Sequence, residues 1–217
     1  FWSGNAAGPA GGFFVNDVKG AGGAFDSPDG EFVDKGGAAQ VQRNALLTVN
    51  YGISPAAPRR LYTYCPAGSS CAARLTDTTN AFATTNTALS TTLLGVSDSA
   101  ARTALINWVR GEDNQGGELG PGSPVNIRPS LHGDVLHSRP AVINYGDSRG
   151  LVVYYGANDG VFRAVNGSQT ASLGAVPAGG ELWGLVLPEH YARLKRQRDN
   201  APELRFPSTL GSTAQPK

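Results

Sequence analysis

Between His132 and Pro188 the chain lays down four short apolar runs, at residues 141–145 (AVINY), 151–155 (LVVYY), 161–165 (VFRAV) and 182–187 (LWGLVL). Turn-forming residues separate them: Gly146-Asp147-Ser148-Arg149-Gly150, then Asn158-Asp159-Gly160, then a longer connection rich in Gly, Ser and Pro. Runs of this length, rich in Val, Ile and Tyr and bounded by Gly, Asn and Asp, predict antiparallel strands joined as hairpins. Asn158, Asp159 and Gly160 are residue types that tolerate positive φ, as a tight hairpin requires. Four such strands in succession predict one blade of a β-propeller.

Helical periodicity occurs in shorter stretches. In SDSAARTALINWVRG, residues 97–111, Ser97 or Asp98 can cap the first turn, and Ala101, Leu105, Trp108 and Val109 form an apolar stripe. Gly111 stands where a left-handed residue ends a helix. A second helix is predicted over 188–200, PEHYARLKRQRDN, with Pro188 and Glu189 at its start and Lys195, Arg196 and Arg198 near its end. The run 35–49 places Ala38, Val41, Ala45 and Leu46 near one face of a short helix, and alternation over 59–65 predicts a strand. Residues 76–92 are rich in Thr, Asn and Ala, with Phe82 and Leu89 as apolar anchors, and predict an exposed extended segment or long loop. The chain divides into a leader and insertion region, 1–120, and a first clear four-strand blade with its following helix, 121–217. One blade does not close a propeller. The expected fold is therefore mostly β, an antiparallel four-strand blade of a β-propeller with a few short helices, present here as a fragment of a larger domain.

Composition narrows the function classes. The 217 residues hold 18 basic and 17 acidic side chains, so no strongly basic field exists to recruit nucleic acid. No run of 18 or more apolar residues predicts a membrane span. Cys65 and Cys71 flank Pro-Ala-Gly-Ser-Ser, a small turn-forming spacer that lets two sulfurs meet. Closing that loop would contribute about 2–3 kcal/mol in the chain-entropy model and implies an oxidising compartment. The alternative is a pair of metal ligands, although the spacing is wider than a zinc site uses.

Candidate chemistry centres on His132, Asp134 and His137 in HGDVLHSRP. These residue types bind transition metals or transfer protons, and would allow a metal-dependent hydrolase. The H-x-D-x-x-H spacing matches no standard zinc arrangement, and Gly133 with Ser138-Arg139-Pro140 places the cluster on a loop. The structural reading is that these side chains hydrogen-bond across strand ends and fix the start of the first strand. Ser130 and Ser138 lie close in sequence, but no G-x-S-x-G elbow accompanies them. Asp26, Asp29, Glu31 and Asp34 surround a turn without the spacing of a calcium loop. Trp183 reads as strand packing, the basic run at 193–198 as a solvated helix face, and Asn166-Gly167-Ser168 as a glycosylation acceptor pattern.

The residues also carry a family resemblance. LINWVRGEDN (105–114), IRPSLHGDVLHSRPAVINYG (127–146), VVYYGANDGVFRAVNG (152–167), ELW (181–183) and PEHYARLKRQRDN (188–200) together resemble the PilY/PilC-type proteins of bacterial type IV pili. KGGAAQVQRN (35–44) and RRLYTY (59–64) are similar to the segment leading into the C-terminal domain of that family. The resemblance implies a modified β-propeller, export to the cell surface, pilus tip or outer membrane, and a non-enzymatic role in pilus extension and adhesion. Implied partners are minor pilins of the tip complex and a host or abiotic surface receptor. The calcium loop of some members has no counterpart here, so no cofactor is expected within these residues; calcium would belong elsewhere in a full-length protein. His132, Asp134, His137, Arg139, Asn158, Asp159 and Gly160 fall in the shared motifs as structural residues, and the loops 65–71 and 111–123 are the expected contact regions. YGANDGVFRAVNG is also somewhat similar to the repeat of quinoprotein dehydrogenases, which gives an oxidoreductase as the alternative; their adjacent-cysteine disulfide is absent.

Overall fold

The computed structural model describes Ala38, Val41, Gln42, Ala45, Leu46, Val49 and residues 59–64, 72–115, 127–128 and 131–202. Cys65, Cys71, Ser130, the carboxylates of 26–34 and most of the 111–123 loop lie outside the described residues.

One mixed sheet of five strands organises the molecule: β1 (Leu61–Tyr62), β2 (Ala141–Asn144), β3 (Leu151–Gly156), β4 (Val161–Asn166) and β5 (Glu181–Val186). Their order is β1-β5-β4-β3-β2. The four strands expected from the apolar runs form an antiparallel meander, each within a residue of its predicted bounds. The fifth strand changes the architecture. β1 lies parallel to β5, with Leu61 opposite Gly184 and Tyr62 opposite Leu185. A Cβ on Gly184 would stand 2.6 Å from Leu61 Cδ2, so the glycine is what lets the two strands approach. The sheet is open and mostly β with few short helices; it does not display a propeller.

The hairpin between β3 and β4 turns at residues 157–160, closed by the Gly160 N–H donating to Ala157 O at 3.0 Å. Of the three residues expected to tolerate positive φ there, only Gly160 adopts it, at +78°. Asp159 instead accepts from the Val161 N–H at 3.1 Å through Oδ1, a local bond that fixes the turn.

Three helices, α1 (Thr91–Leu94), α2 (Ser99–Arg110) and α3 (Tyr191–Asp199), pack together and meet the sheet at Leu61, Val161 and Val186. Asp98 caps α2 by accepting from the Ala101 N–H, and Gly111 ends it at φ +120°. The second predicted helix begins as a 3-10 turn at Pro188–His190 before α3 proper. Leu94, Leu105, Ile106, Val109, Tyr191 and Leu194 pack with Leu61, Val161 and Val186 into the main core, which draws on residues on both sides of position 120. Leu46, Val49, Ile127 and Leu131 form a smaller second cluster.

Residues 76–92 are mainly the long loop that their composition allows and not an extended segment, and the loop is anchored inward while most of its threonines stay exposed. Phe82 and Leu89 are fully buried, and a 3-10 turn at Thr78–Asn80 is followed by successive tight turns. Polar side chains make this possible by satisfying buried backbone. Asn86 donates to Thr79 O and Ala81 O, Asn80 to Arg74 O, and the Arg102 guanidinium on α2 to the carbonyls of Thr84, Asn86 and Leu89. An Asn-rich run reads as loop from composition, and here its amides serve as the internal scaffold.

The opposite face of the sheet carries Tyr154, Phe162 and Trp183, half-buried and in mutual contact with ring centroids 6.0–6.3 Å apart. Trp183 therefore packs with neighbouring rings of its own sheet. The Tyr145 and Tyr154 hydroxyls meet at 2.8 Å, and burial followed by that bond pushes the Tyr154 phenol up to about 12.

Candidate functional site

Alternation along β4 places Arg163 between Val161 and Val165 on the helix-covered face, so a guanidinium is carried into the core. Arg163 is fully buried. It survives there because two carboxylates flank it. Asp159, at the hairpin turn, takes Nη1 at 3.0 Å on Oδ1 and Nη2 on Oδ2; Glu181, at the start of β5, takes Nε at 3.2 Å on Oε2. A register shift beside Val165 brings Glu181 round to this face. Arg59, two residues ahead of β1, closes the chain of charges with a bidentate fork on Glu181 and donates a further bond to Val109 O at the end of α2. Two cations and two anions are thus held together, each hydrogen-bonded by its partner, which is the condition under which charge tolerates burial.

Burial works against ionisation of Asp159, but the Arg163 charge and its hydrogen bonds outweigh it and hold the carboxyl well below the usual range. Glu181 follows the same balance, with Arg59 as the larger attraction and Arg163 the next, and also lies below its ordinary value. Arg163 itself is raised, since Asp159 and Glu181 together overcome its desolvation.

The loop bearing His132 docks onto this network. The Gly133 N–H donates to Asp159 Oδ2 at 3.2 Å, and the Asn158 N–H to Asp134 O at 2.9 Å. A Cβ on Gly133 would stand 2.6 Å from the Asp159 backbone nitrogen, so only glycine permits this approach. Burial, then repulsion from Arg163, pushes His132 down to about 4, leaving a neutral ring near neutrality. Its Nδ1 lies 2.7 Å from Gly133 O, which only accepts, so Nδ1 carries the proton. Nε2 then accepts from the Tyr155 hydroxyl at 2.7 Å. Burial raises the Tyr155 phenol, so it stays protonated as that donor.

The three residues considered for a metal or hydrolase centre are not assembled. His132 is spent on Tyr155 and Gly133, whereas Asp134 and His137 have exposed side chains. Among the described residues no group of three or more His, Cys, Asp or Glu is placed to hold a metal ion. Ser138 Oγ accepts from the Gly156 N–H at 2.9 Å, anchoring the start of β2 to the end of β3. Asn166 of the glycosylation pattern is fully buried; its amide donates to Ala171 O and Val176 O, which puts it out of reach in the folded chain. On α3, Lys195 and Arg198 pair with Asp199, and Arg193 is exposed.

Arg59, Arg163, Glu181 and Tyr155 did not stand out from motif spacing. One signal was present: an arginine at an inward position of a strand whose neighbours on that face are both valine. Outside the network, residues 134–144 form a continuous exposed stretch, half-buried only at Ser138, that includes the whole of the edge strand β2. Compared with protein-family models, curated proteins and solved structures, the chain matches none.

Proposed function

We propose that this chain is a non-enzymatic surface module of a type IV pilus machine, promoting pilus assembly and adhesion through binding. One observation carries the reading. Residues from the separate motifs that resemble the PilY/PilC-type proteins meet in one buried cluster: Arg59 from RRLYTY, His132 and Gly133 from HGDVLHSRP, Asp159 from YGANDG, Arg163 from VFRAVNG and Glu181 from ELW. Motifs spread over 120 residues of sequence thus describe a single three-dimensional unit, which is what a resemblance of common origin would produce. Within that unit the ionisable groups are paired with one another and the histidine is neutral and hydrogen-bonded at both nitrogens. Their chemistry goes into holding the sheet, hairpin and loop together, which leaves function to the surface.

Immunogold electron microscopy of the source cells with antibody to this chain tests the proposal. Gold at pilus tips and on the outer surface, with loss of pili on deletion, is the expected result. Label confined to the periplasm and absent from sheared pili would overturn it. A chromophore bound stoichiometrically to the purified protein would favour an oxidoreductase instead.

A further inference from the structure

One side of β2 pairs with β3, and among the described residues no strand pairs with its other side, so the register says which backbone groups face outward. The Tyr145 N–H donates to Gly150 O at 3.0 Å, next in line after the Asn144 and Leu151 pair. Bonded and non-bonded pairs alternate along an antiparallel ladder. Ala141 and Ile143 therefore spend their N–H and C=O groups on β3, while Val142 and Asn144 aim theirs away from the sheet. Pro140, at the preceding outward position, has no N–H, so a ladder on this edge begins at Val142.

The side chains along the same edge are apolar and uncovered. Six large apolar residues are exposed among the described residues, and four of them, Val135, Leu136, Val142 and Ile143, lie within this one stretch. Val142 and Ile143 point to opposite faces of the sheet, at 61% and 42% exposure. Arg139 stands exposed where the strand begins, and no carboxylate among the described residues meets it.

We propose that β2 is a docking edge for an extended segment of a separate polypeptide, which adds to the sheet as a further strand and presents a carboxylate to Arg139. The occupant follows from the edge chemistry. Outward N–H and C=O groups at alternate residues need a partner that offers the same spacing, and only an extended backbone does. A helix has consumed those groups, and a partner lying on one face would cover Val142 or Ile143 but not both. The inference concerns how a partner is gripped and holds whether or not the partner belongs to a pilus.

The test uses the full chain and a ten-residue acetylated peptide of alternating Val and Thr with a terminal Glu, read by amide hydrogen exchange and fluorescence anisotropy. The expected result is saturable binding that slows exchange at Val142 and Asn144 about ten-fold or more, leaving Ala141 and Ile143 unchanged. N-methylation of alternate peptide amides should abolish binding. Arg139→Glu should weaken the Glu peptide and favour a Lys-ended one, without altering the fold. Absence of binding at millimolar peptide overturns the proposal. So does protection of Val142 and Asn144 in the free chain at all dilutions, which would assign the edge to the chain itself. Protection that grows with protein concentration alone would assign it to a second copy. Failure here leaves the immunogold result untouched, so the two readings fall separately.

Discussion

Arg59 grips Glu181 through two parallel hydrogen bonds, Nε to Oε1 at 2.7 Å and Nη2 to Oε2 at 2.8 Å, across 122 residues of chain. Both side chains are almost wholly buried. The pair ties the segment leading into β1 to the start of β5, at the margin where the added parallel strand joins the meander.

Glu181→Gln should therefore destabilise the fold by about 3–5 kcal/mol, because it leaves Arg59 and Arg163 with one carboxylate between them in a buried site. Arg59→Lys should also cost stability, about 1–3 kcal/mol, since an ammonium cannot reproduce the fork. Urea unfolding followed by tryptophan fluorescence measures both. A cost below about 1 kcal/mol for Glu181→Gln would show that the network is dispensable.

Stability should fall in two stages on acidification. His132 has a folded value of about 4 against its ordinary 6.5, so between these the unfolded chain takes up a proton that the folded chain refuses. Stability is complete above 6.5 and declines as pH drops towards 4, by about 1.4 kcal/mol per pH unit and about 3 kcal/mol in all at most. Below that, Asp159 and Glu181 contribute: both are depressed in the fold, so their stabilisation is present above the ordinary carboxylate values and lost as pH falls beneath them. His132→Gln should remove the first stage and keep the second. Denaturation midpoints from pH 3 to 8, with an NMR titration of the imidazole, provide the check.

Gly133→Ala should lift the 132–134 loop off the hairpin. The added methyl would meet backbone and Cβ atoms of Asp159 at 2.6 and 2.9 Å, neither of which can swing aside. The expected cost is about 1–3 kcal/mol, accompanied by faster exchange of the Asn158 amide as its bond to Asp134 O loosens. Unchanged exchange at Asn158 would mean the loop docks by other contacts.

Asn166→Ala should cost about 2–4 kcal/mol. Its buried amide holds two carbonyls of the 171–176 loop, and its Oδ1 accepts from the Ser168 N–H at 3.0 Å. Removing it loses three hydrogen bonds and the packing of a fully buried side chain, although Val176 O keeps its bond from the Leu173 N–H. Thermal unfolding gives the magnitude. Expression in a glycosylating host should leave Asn166 unmodified in folded protein, which a mass measurement of that peptide decides.

Features that depend on neighbours along the chain are legible before folding. The four runs from 141 to 187 carry their own turns, so hairpins of consecutive strands follow from local alternation and from Gly160. The helix at 99–110 carries its own cap in Asp98 and its own stop in Gly111. The remaining features arise where segments distant in the chain meet. β1 pairs with a strand 120 residues later, in parallel and without a connecting turn, so nothing local encodes it. Phe82, Ala83 and Leu89 can be buried within the 76–92 loop because Arg102 and Asn86 feed its carbonyls and Asn80 that of Arg74 just before it, a satisfaction that composition cannot display. His132 became a neutral ring, hydrogen-bonded at both nitrogens, because folding buries it and brings Arg163 and Tyr155 beside it from other strands. The buried charge network has the same origin: an ion tolerates the core only where its counter-ions are delivered by folding, and their positions in sequence do not announce the meeting.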